Sequence, residues 1–323
     1  MLSLEKSAEA AQSINRQLER GMPILTPISI ALGFAFFGVF IHVRPFVSWL
    51  FGIMTFSGAL KLRAAEFGAT IRRPKAIFLF LAATHIVMPL IALFAASLGF
   101  ANTDIVSGFV LLFSGPTAVS GFIWVTMFRG DKALCLTLIL LDTILAPLVV
   151  PGSVLLLMGA KTAIDMSGIA FSLFMMVVVP VILGVTVNEA SKGKIPSLVC
   201  PYLNPLSKIC LMLVIAANTS AIAPKVRLSD PVVWKVALFC ILLSCAGFVI
   251  TKLAALAGKC GGEKGVTLFF SGGLRNISAV TTISVAFFPE AAALPALLGV
   301  VFQQTISAIM GKLLIQKPKD EYT

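Results

Sequence analysis

The stretch LFFSGGLRNISAV, residues 268–280, places an arginine inside an otherwise apolar run. Gly272 and Gly273 stand just before Arg275, and Asn276 follows it. Glycine weakens a helix and permits unusual backbone dihedrals, and a buried charge needs a partner or a polar cavity. The stretch therefore predicts a break in a buried helix, with a charged side chain at the break.

Composition indicates that much of this chain lies in lipid. Of its 323 residues, 58% are hydrophobic and 12% are charged, and the mean hydropathy is +1.00. A soluble domain averages about 45–50% apolar and about 25% charged residues. The net charge of +11 comes from Lys and Arg in short loops between apolar runs, which is typical of membrane topology rather than nucleic-acid binding. The six cysteines show no CxxC or metal-binding spacing, and we interpret them as small apolar fillers.

The apolar runs predict an all-α membrane protein with ten transmembrane helices, since each run has about the 20 residues that a span requires. Residues 1–22 are polar and predict a cytoplasmic or interfacial helix rather than a signal peptide, and residues 317–323 predict a C-terminal tail. The predicted spans are roughly 24–42, 45–61, 76–99, 104–128, 133–159, 166–188, 205–223, 231–257, 264–288 and 291–315.

Lysine and arginine orient these spans. With ten spans both termini share one side, which then collects 19 of the 25 Lys and Arg residues, including those of the loop 62–75. Cytoplasmic loops carry such an excess of positive charge, so we expect a multi-pass protein of the cell (inner) membrane with both termini in the cytoplasm. The opposite side collects Arg44, Lys161, Lys225, Arg227 and Lys235.

The ten predicted spans divide into two halves of five, residues 23–160 and 161–316. In each half the fourth span carries residues that break a helix, SGPT at 114–117 and SGGLRN at 271–276. Five is odd, so the halves are predicted to be inverted relative to each other, and matching interruptions in inverted halves indicate a carrier's binding site. The predicted substrate-binding residues are Pro116, Thr117, Ser271, Gly272, Gly273, Arg275 and Asn276.

Arg275, Pro116 and Asp142 are expected to meet near the middle of the bilayer. Each lies about nine to twelve residues into its span, or roughly 13–18 Å at about 1.5 Å per residue, in a hydrocarbon core about 30 Å thick. An arginine at that depth costs at least about 2.5–3.5 kcal/mol. Two interpretations of Arg275 stay open, namely an anion anchor and a structural ion pair with Asp142, and the two can coexist.

Other polar residues inside the spans are candidates for coupling or for lining a cavity. His85 faces the interior in one interpretation and is a hydrogen-bonded packing residue in the other. At least one of Gln303 and Gln304 is expected to face the cavity, because two adjacent amides are unfavourable in lipid. Residues 218–220, Asn-Thr-Ser, either line the cavity or end a helix.

These motifs resemble a known family. SGPTAVSGFIWVTMFRGD at 114–131, GGLRNISAV at 272–280 and FQQTISAIMG at 302–311 are similar to the fourth-span, ninth-span and tenth-span motifs of the bile acid:sodium symporter family. The resemblance runs from about residue 24 to 315. It implies two inverted five-helix repeats, a panel domain of spans 1, 2, 6 and 7, and a core domain of spans 3–5 and 8–10 in which the broken fourth and ninth helices cross.

The resemblance also implies a function, together with a departure from the family. Family substrates are organic anions such as bile acids, sulfated steroids, pyruvate and pantoate, and two sodium ions typically drive their transport. Asn276 matches one of the family's sodium ligands. The other matching positions retain little of that oxygen set, namely Ser271, Gly121, Phe122, Cys135, Ile139 and Thr84. We therefore leave three alternatives open: coupling to Na⁺, coupling to H⁺ through Asp142, and uncoupled movement with Arg275 in place of a sodium charge.

The predicted function is secondary transport of an organic anion, with a small-molecule substrate and the lipid bilayer as partners. No protein partner, nucleic acid or cofactor is implied beyond Na⁺ or H⁺ as a coupling ion, and no metal site is assigned. A non-transporting membrane receptor on the same fold is the alternative. The sequence contains no HExxH or GxSxG motif, so we do not expect an enzyme.

Overall fold

The structure is a computed structural model, and it describes residues 2–62, 74–159, 164–224, 227 and 229–315. Within these ranges the regular secondary structure is helical, apart from one isolated antiparallel bridge between Thr117 and Arg275. The predicted tail 317–323 and most of the basic loop 62–75 lie outside the described residues, as do Lys161 and Lys225.

Twelve labels cover the described helices in chain order: α1 Leu2–Ala35, α2 Phe37–Ala59, α3 Pro74–Gly99, α4 Thr103–Ser114, α5 Gly121–Met127, α6 Lys132–Met158, α7 Met166–Ala190, α8 Lys194–Ile222, α9 Pro231–Ala257, α10 Gly262–Gly273, α11 Ile277–Phe287 and α12 Glu290–Leu314. Seven of them are long and apolar enough to cross a membrane: α2, α3, α6, α7, α8, α9 and α12. The apolar part of α1 (Ile24–Ala35), α4 and α11 are shorter apolar helices.

The N-terminal boundaries differ from the sequence prediction. The polar N-terminal residues and the first apolar run form one continuous helix, α1, of 34 residues. The predicted junction near residues 43–44 is wrong, because the helix ends at Ala35 and the next begins at Phe37. Residues 43–44 and Pro45 lie in a 3₁₀ segment, Ile41–Phe46, inside α2. The fixed φ of proline fits a 3₁₀ turn, so the chain continues without a loop.

α8 begins earlier than its predicted span of 205–223. It starts at Lys194 and runs for 29 residues, with Pro201 and Pro205 inside it. Each proline removes one backbone donor, but helices can continue past proline where neighbouring helices cover the freed groups.

Two segments of the chain are broken helices, as the sequence predicts. The first broken segment is α4 and α5, separated by residues 115–120. The second is α10 and α11, separated by Leu274–Asn276. The glycines mark the second break imperfectly, since Gly272 and Gly273 still belong to the last turn of α10.

Helix packing surrounds the two broken segments. α1 packs along α8, α2 packs against α7 and α8, and α7 also packs against α6. α9 packs against α10 and α12, and α4 packs against α3 and α12. The largest buried apolar cluster includes Met88, Phe109, Ala146 and Ile283. This packing holds the two broken segments against each other.

Candidate functional site at the two helix breaks

The backbones of the two breaks bind each other directly. The amide of Asn276 donates to the carbonyl of Pro116 at 2.7 Å, and the amide of Ala118 donates to the carbonyl of Leu274 at 3.3 Å. These bonds flank the bridge between Thr117 and Arg275. A broken helix in an apolar setting must satisfy its freed backbone groups inside the protein, and here each break supplies partners for the other.

Thr117 is the side chain that fastens the first break to the second. Its hydroxyl donates to the carbonyl of Ser271 and lies 3.2 Å from the carbonyl of Leu274. Both carbonyls are at the C-terminal end of α10, where a helix leaves acceptors unsatisfied. Thr117 is 1% exposed, so no solvent replaces these bonds. Its role is to hold the two breaks in one geometry.

Asp142 on α6 binds the first break from the other side. One carboxylate oxygen accepts the backbone N–H of Thr117 at 2.6 Å, and the other lies 2.5 Å from Nε2 of His85. Asp142 is fully buried and the His85 side chain is 7% exposed. His85 lies in a π-helical turn, Ala83–Val87, inside α3, a feature that often occurs at functional sites.

Arg275 lies in the second break and is 3% exposed. Its Nη2 donates to the carbonyl of Thr84 at 3.3 Å, while its buried Nη1 has no hydrogen-bond partner among the described residues. Arg275 and Asp142 do not form an ion pair in direct contact, so that interpretation of Arg275 is wrong. Neither carboxylate oxygen of Asp142 lies within 4.0 Å of the guanidinium in this described part of the chain, although the two charges still interact electrostatically. The partners of Asp142 are His85 and the Thr117 amide instead.

The guanidinium of Arg275 faces a small cavity. The space open to the centre of a water-sized sphere is about 10 Å³, which is close to the minimum for one water molecule. Gln303 lines this cavity, and its buried Oε1 has no partner among the described residues. The other lining residues are Leu112, Phe113, Ser244, Phe248, Gly273 and Ile277.

Gly272 and Gly273 serve helix packing rather than the break. A Cβ atom at Gly272 would lie 2.2 Å from Cγ2 of Thr251, and one at Gly273 would lie 2.2 Å from Cδ1 of Phe248. Both neighbours are on α9. The two glycines therefore let α10 approach α9 closely, and this approach brings the following break to its place.

Asn276 acts as the N-cap of α11. Its side-chain oxygen accepts the amide of Ala279 at 3.3 Å. That bond occupies one of the free N–H groups at the helix N-terminus.

The remaining candidates are one residue that lines the cavity and several residues that form hydrogen bonds to a neighbouring helix or to their own helix. Gln304 accepts a hydrogen bond from Trp124 Nε1 at 3.1 Å, so Gln303, not Gln304, faces the cavity. Asn218 lies buried near the end of α8 and donates to the hydroxyl of Thr282 at 3.1 Å. Its neighbours Thr219 and Ser220 are also buried and bind carbonyls of their own helix.

Two features of the site were missed by the sequence analysis. Ser244 and Phe248 on α9 line the cavity. The small residues SCAG at 244–247, in the middle of the span, were the sequence signal for a close approach of another helix to α9. The pairing of His85 with Asp142 was also missed. Each lies about ten to eleven residues into its helix, and this similar depth was the available signal.

Two of the positions that resemble sodium ligands use their hydroxyl groups in contacts within the protein. The Thr84 hydroxyl donates to the carbonyl of Phe80 at 2.7 Å, and the Ser271 hydroxyl faces Sγ of Cys135 at 3.6 Å. Na⁺ is a hard cation that needs several oxygen ligands. Among the described residues, no group of three or more His, Cys, Asp or Glu side chains is placed to hold a metal ion. We assign no sodium ligand to this chain.

The sequence is similar to known transporters over most of its length. A family model described as the Sodium Bile acid symporter family matches residues 48–226. The chain is 36% identical to the uncharacterized protein YbaS of Bacillus subtilis over 294 residues, which covers 91% of this chain and 96% of that protein. It is 22% identical to the uncharacterized sodium-dependent transporter YocS of the same organism, over 89% of this chain and 88% of YocS.

The chain is also similar to a plant protein. The chain is 27% identical to the probable sodium/metabolite cotransporter BASS3, chloroplastic, of Oryza sativa subsp. japonica, over 81% of this chain and 61% of that protein. The apolar helices, the two fitted breaks and these matches agree with one another. The chain therefore belongs to the sodium bile acid symporter family, a family of membrane transporters.

Proposed function

We propose that this protein is a secondary transporter that carries an organic anion, such as a steroid conjugate or a small carboxylate, by alternating access. The observation that carries the proposal is the buried Nη1 of Arg275 at the junction of the two helix breaks, which has no partner in the part of the chain that the structure describes. Arginine stays charged in proteins and offers a planar set of donors that suits carboxylates and sulfates.

The surroundings of Arg275 favour an anionic ligand over a purely structural role. A buried charge is unfavourable unless it is paired and hydrogen-bonded, and Arg275 has one carbonyl contact and no carboxylate at contact distance among the described residues. Ser244 and Gln303 line the same cavity and add polar groups. A hydrogen bond to a charged group contributes about 1.5–3 kcal/mol, which is enough for one anchor to dominate recognition.

We propose further that the chain crosses the membrane ten times, as two inverted five-helix repeats. Seven long apolar helices, the apolar end of α1, and the two broken segments supply ten candidate crossings. Each broken segment covers about 25 residues, which is enough to span a bilayer. The two breaks occupy corresponding places in the two halves of the chain, which supports inversion about an axis in the membrane plane.

The packing supports a division into a panel domain and a core domain. The panel domain consists of α1, α2, α7 and α8, and the core domain consists of α3–α6 and α9–α12. Contacts between α1 and α8, and between α2 and both α7 and α8, fit the panel domain. Movement of one domain against the other opens the site to one side of the membrane at a time. By the distribution of Lys and Arg, we propose that both termini lie in the cytoplasm of a cell whose inner membrane holds the protein.

An opening motion is required before any organic anion can bind. The cavity beside Arg275 holds about one water in this conformation, whereas small-molecule pockets usually measure about 300–1,000 Å³. The conformation described here is therefore a closed one. A transporter that alternates between accesses passes through such a state in every cycle.

Reconstitution in liposomes tests the proposal. Purified protein is given radiolabelled taurocholate, pyruvate or pantoate, with sodium and pH gradients imposed separately. We expect saturable uptake of at least one anion above that of protein-free vesicles. Binding of a probe without flux would point to a receptor instead, and the absence of both binding and uptake across a wide anion panel would contradict the proposal.

A further inference from the structure

Asp142 connects three separate parts of the chain. It lies on α6, it accepts the backbone N–H of Thr117 in the first break, and it contacts Nε2 of His85 on α3 at 2.5 Å. Both side chains of the His85–Asp142 pair are more than nine-tenths buried. A change in the charge of this pair therefore changes the strength of the hydrogen bond from the Thr117 N–H in the first break.

The second ring nitrogen of His85 has an open position. Nδ1 is buried and has no hydrogen-bond partner among the described residues. A neutral imidazole donates from one nitrogen and accepts at the other, and a protonated imidazole donates from both. Because Nε2 faces the carboxylate, Nδ1 is the atom at which the pair can take up a further proton. The carboxylate beside it then stabilises the resulting cation.

Arg275 is the charged group whose field reaches this pair. Its guanidinium interacts electrostatically with Asp142. The backbone of Arg275 also forms the antiparallel bridge with Thr117, whose N–H donates to Asp142. The other titratable residues on α3, α4, α6, α9 and α10 form no hydrogen bond with the pair in the described structure, namely Lys75, Asp104, Lys132, Cys135, Lys235, Cys240, Cys245, Lys252, Glu263 and Lys264.

The charges at the site balance when a proton and an anion bind together. With His85 neutral, Arg275 and Asp142 sum to zero. One proton gives a net charge of +1, and a monovalent anion returns the sum to zero. A net charge in a buried, low-dielectric site is unfavourable, so each ligand favours binding of the other.

We propose that the His85–Asp142 pair binds a proton that travels with the anion and replaces sodium as the coupling ion. This inference rests on the proposed transport of an organic anion. On one side of the membrane an O–H bond of hydronium breaks as an N–H bond forms at Nδ1 of His85. On the other side that N–H bond breaks and the proton returns to a water molecule as an O–H bond, so no oxidation state changes.

The structure also supplies a link from the proton to the movement. Asp142 holds the Thr117 amide, and Thr117 holds the carbonyls of Ser271 and Leu274 in the second break. When the pair binds a proton, its net charge changes from −1 to zero. The electrostatic attraction between the pair and the Thr117 N–H then becomes weaker. The contact between the two breaks then changes in strength when the proton binds, which couples proton binding to the access change.

Proton flux into liposomes tests the inference. Vesicles that contain a pH-sensitive dye are given taurocholate, pyruvate or pantoate in a sodium-free medium, and acidification of the lumen is recorded above that of protein-free vesicles. We expect acidification with the parent protein and a loss of at least fivefold in the His85→Gln variant, whose amide can face Asp142 but cannot take up the proton. The matched control is His42→Gln, since His42 is exposed and is the other histidine of the chain.

A spectroscopic measurement keeps the inference testable if His85→Gln fails to fold. Nitrogen NMR of histidine-labelled protein gives two imidazoles, and the His42→Gln variant isolates the signal of His85. We expect the ring of His85 to gain a proton when the transported probe is added. Labelled anion uptake that needs sodium and brings no acidification would overturn the proton inference alone. Absence of any anion uptake would overturn the proposed function and the inference with it.

Discussion

The two helix breaks satisfy their backbone groups in different ways. The first, residues 115–120, is longer and carries no charge, and its Thr117 amide is held by the fixed carboxylate of Asp142. The second, Leu274–Asn276, is short and carries Arg275, whose Nη1 lacks a partner among the described residues. The first break is therefore closed by the protein itself, whereas the second leaves a donor free. On the proposed function, the first break positions the site and the second break binds the anion.

The largest expected effect is on transport through the second break. Arg275→Gln removes the charge but keeps a polar side chain of moderate length. We expect anion uptake to fall about tenfold to hundredfold, because a hydrogen bond to a charged group contributes about 1.5–3 kcal/mol and each 1.4 kcal/mol is a factor of ten. Initial uptake rates in liposomes measure the effect, with Arg16→Gln on the exposed face of α1 as the control. Equal rates for Arg275→Gln and the parent would mean that the two breaks do not differ in ligand binding.

The first break is expected to affect stability. Thr117→Val keeps the shape of the side chain but leaves the carbonyls of Ser271 and Leu274 without the hydroxyl. We expect a loss of about 1–3 kcal/mol, measured as a lower melting temperature in detergent. The control is Thr137→Val, since Thr137 is equally buried and its hydroxyl binds only a carbonyl of its own helix. Similar melting temperatures for the two variants would show that Thr117 does not fasten the breaks.

The close packing of α10 against α9, just before the second break, can also be tested. Gly273→Ala places a methyl group against the ring of Phe248, with an expected loss of about 1–3 kcal/mol from overpacking. Gly152→Ala on α6 meets nothing within 4 Å, and we expect it to be neutral or to stabilise by up to about 1 kcal/mol. Thermal unfolding of both variants in the same detergent compares them. A Gly273→Ala protein as stable as Gly152→Ala would contradict the packing role of this glycine.

The smallest expected effect is on the helix after the first break. Gln304→Leu removes the hydrogen bond to Trp124 of α5, with an expected loss of about 0.5–1.5 kcal/mol and no change in the KM of anion uptake. Its neighbour Thr305 is exposed, so Thr305→Leu serves as the control. A raised KM in Gln304→Leu would place this glutamine at the ligand, contrary to the geometry.

The breaks were predictable from sequence, because proline, paired glycines and a buried arginine are local signals in an apolar run. The contact of Thr117 with Arg275 was anticipated in part, since equal depths placed Pro116, Arg275 and Asp142 together. The partner of Asp142 was not predicted. Hydropathy gives the depth of a residue but not the direction of its side chain, and the π-helical turn that carries His85 has no clear sequence signal.

The helix ends were predicted least well. The predicted junction near residues 43–44 lies in a 3₁₀ segment that contains Pro45, and Pro201 and Pro205 lie inside a continuous helix. Proline indicates a local loss of one donor, and tertiary packing decides whether the helix ends there. The roles of Gly272 and Gly273 also depended on a neighbour, α9, that the local sequence does not reveal.

Replacing the charge at position 275 chemically tests the central claim most directly. Arg275→Cys is prepared in a background without the six native cysteines and is treated with membrane-impermeant thiol reagents that attach either a cationic or a neutral group. We expect low uptake before treatment, recovery with the cationic reagent and no recovery with the neutral one. Recovery that is equal with both reagents, or a cysteine that no reagent reaches from either side of the membrane, would contradict a cationic anchor that meets its anion from water.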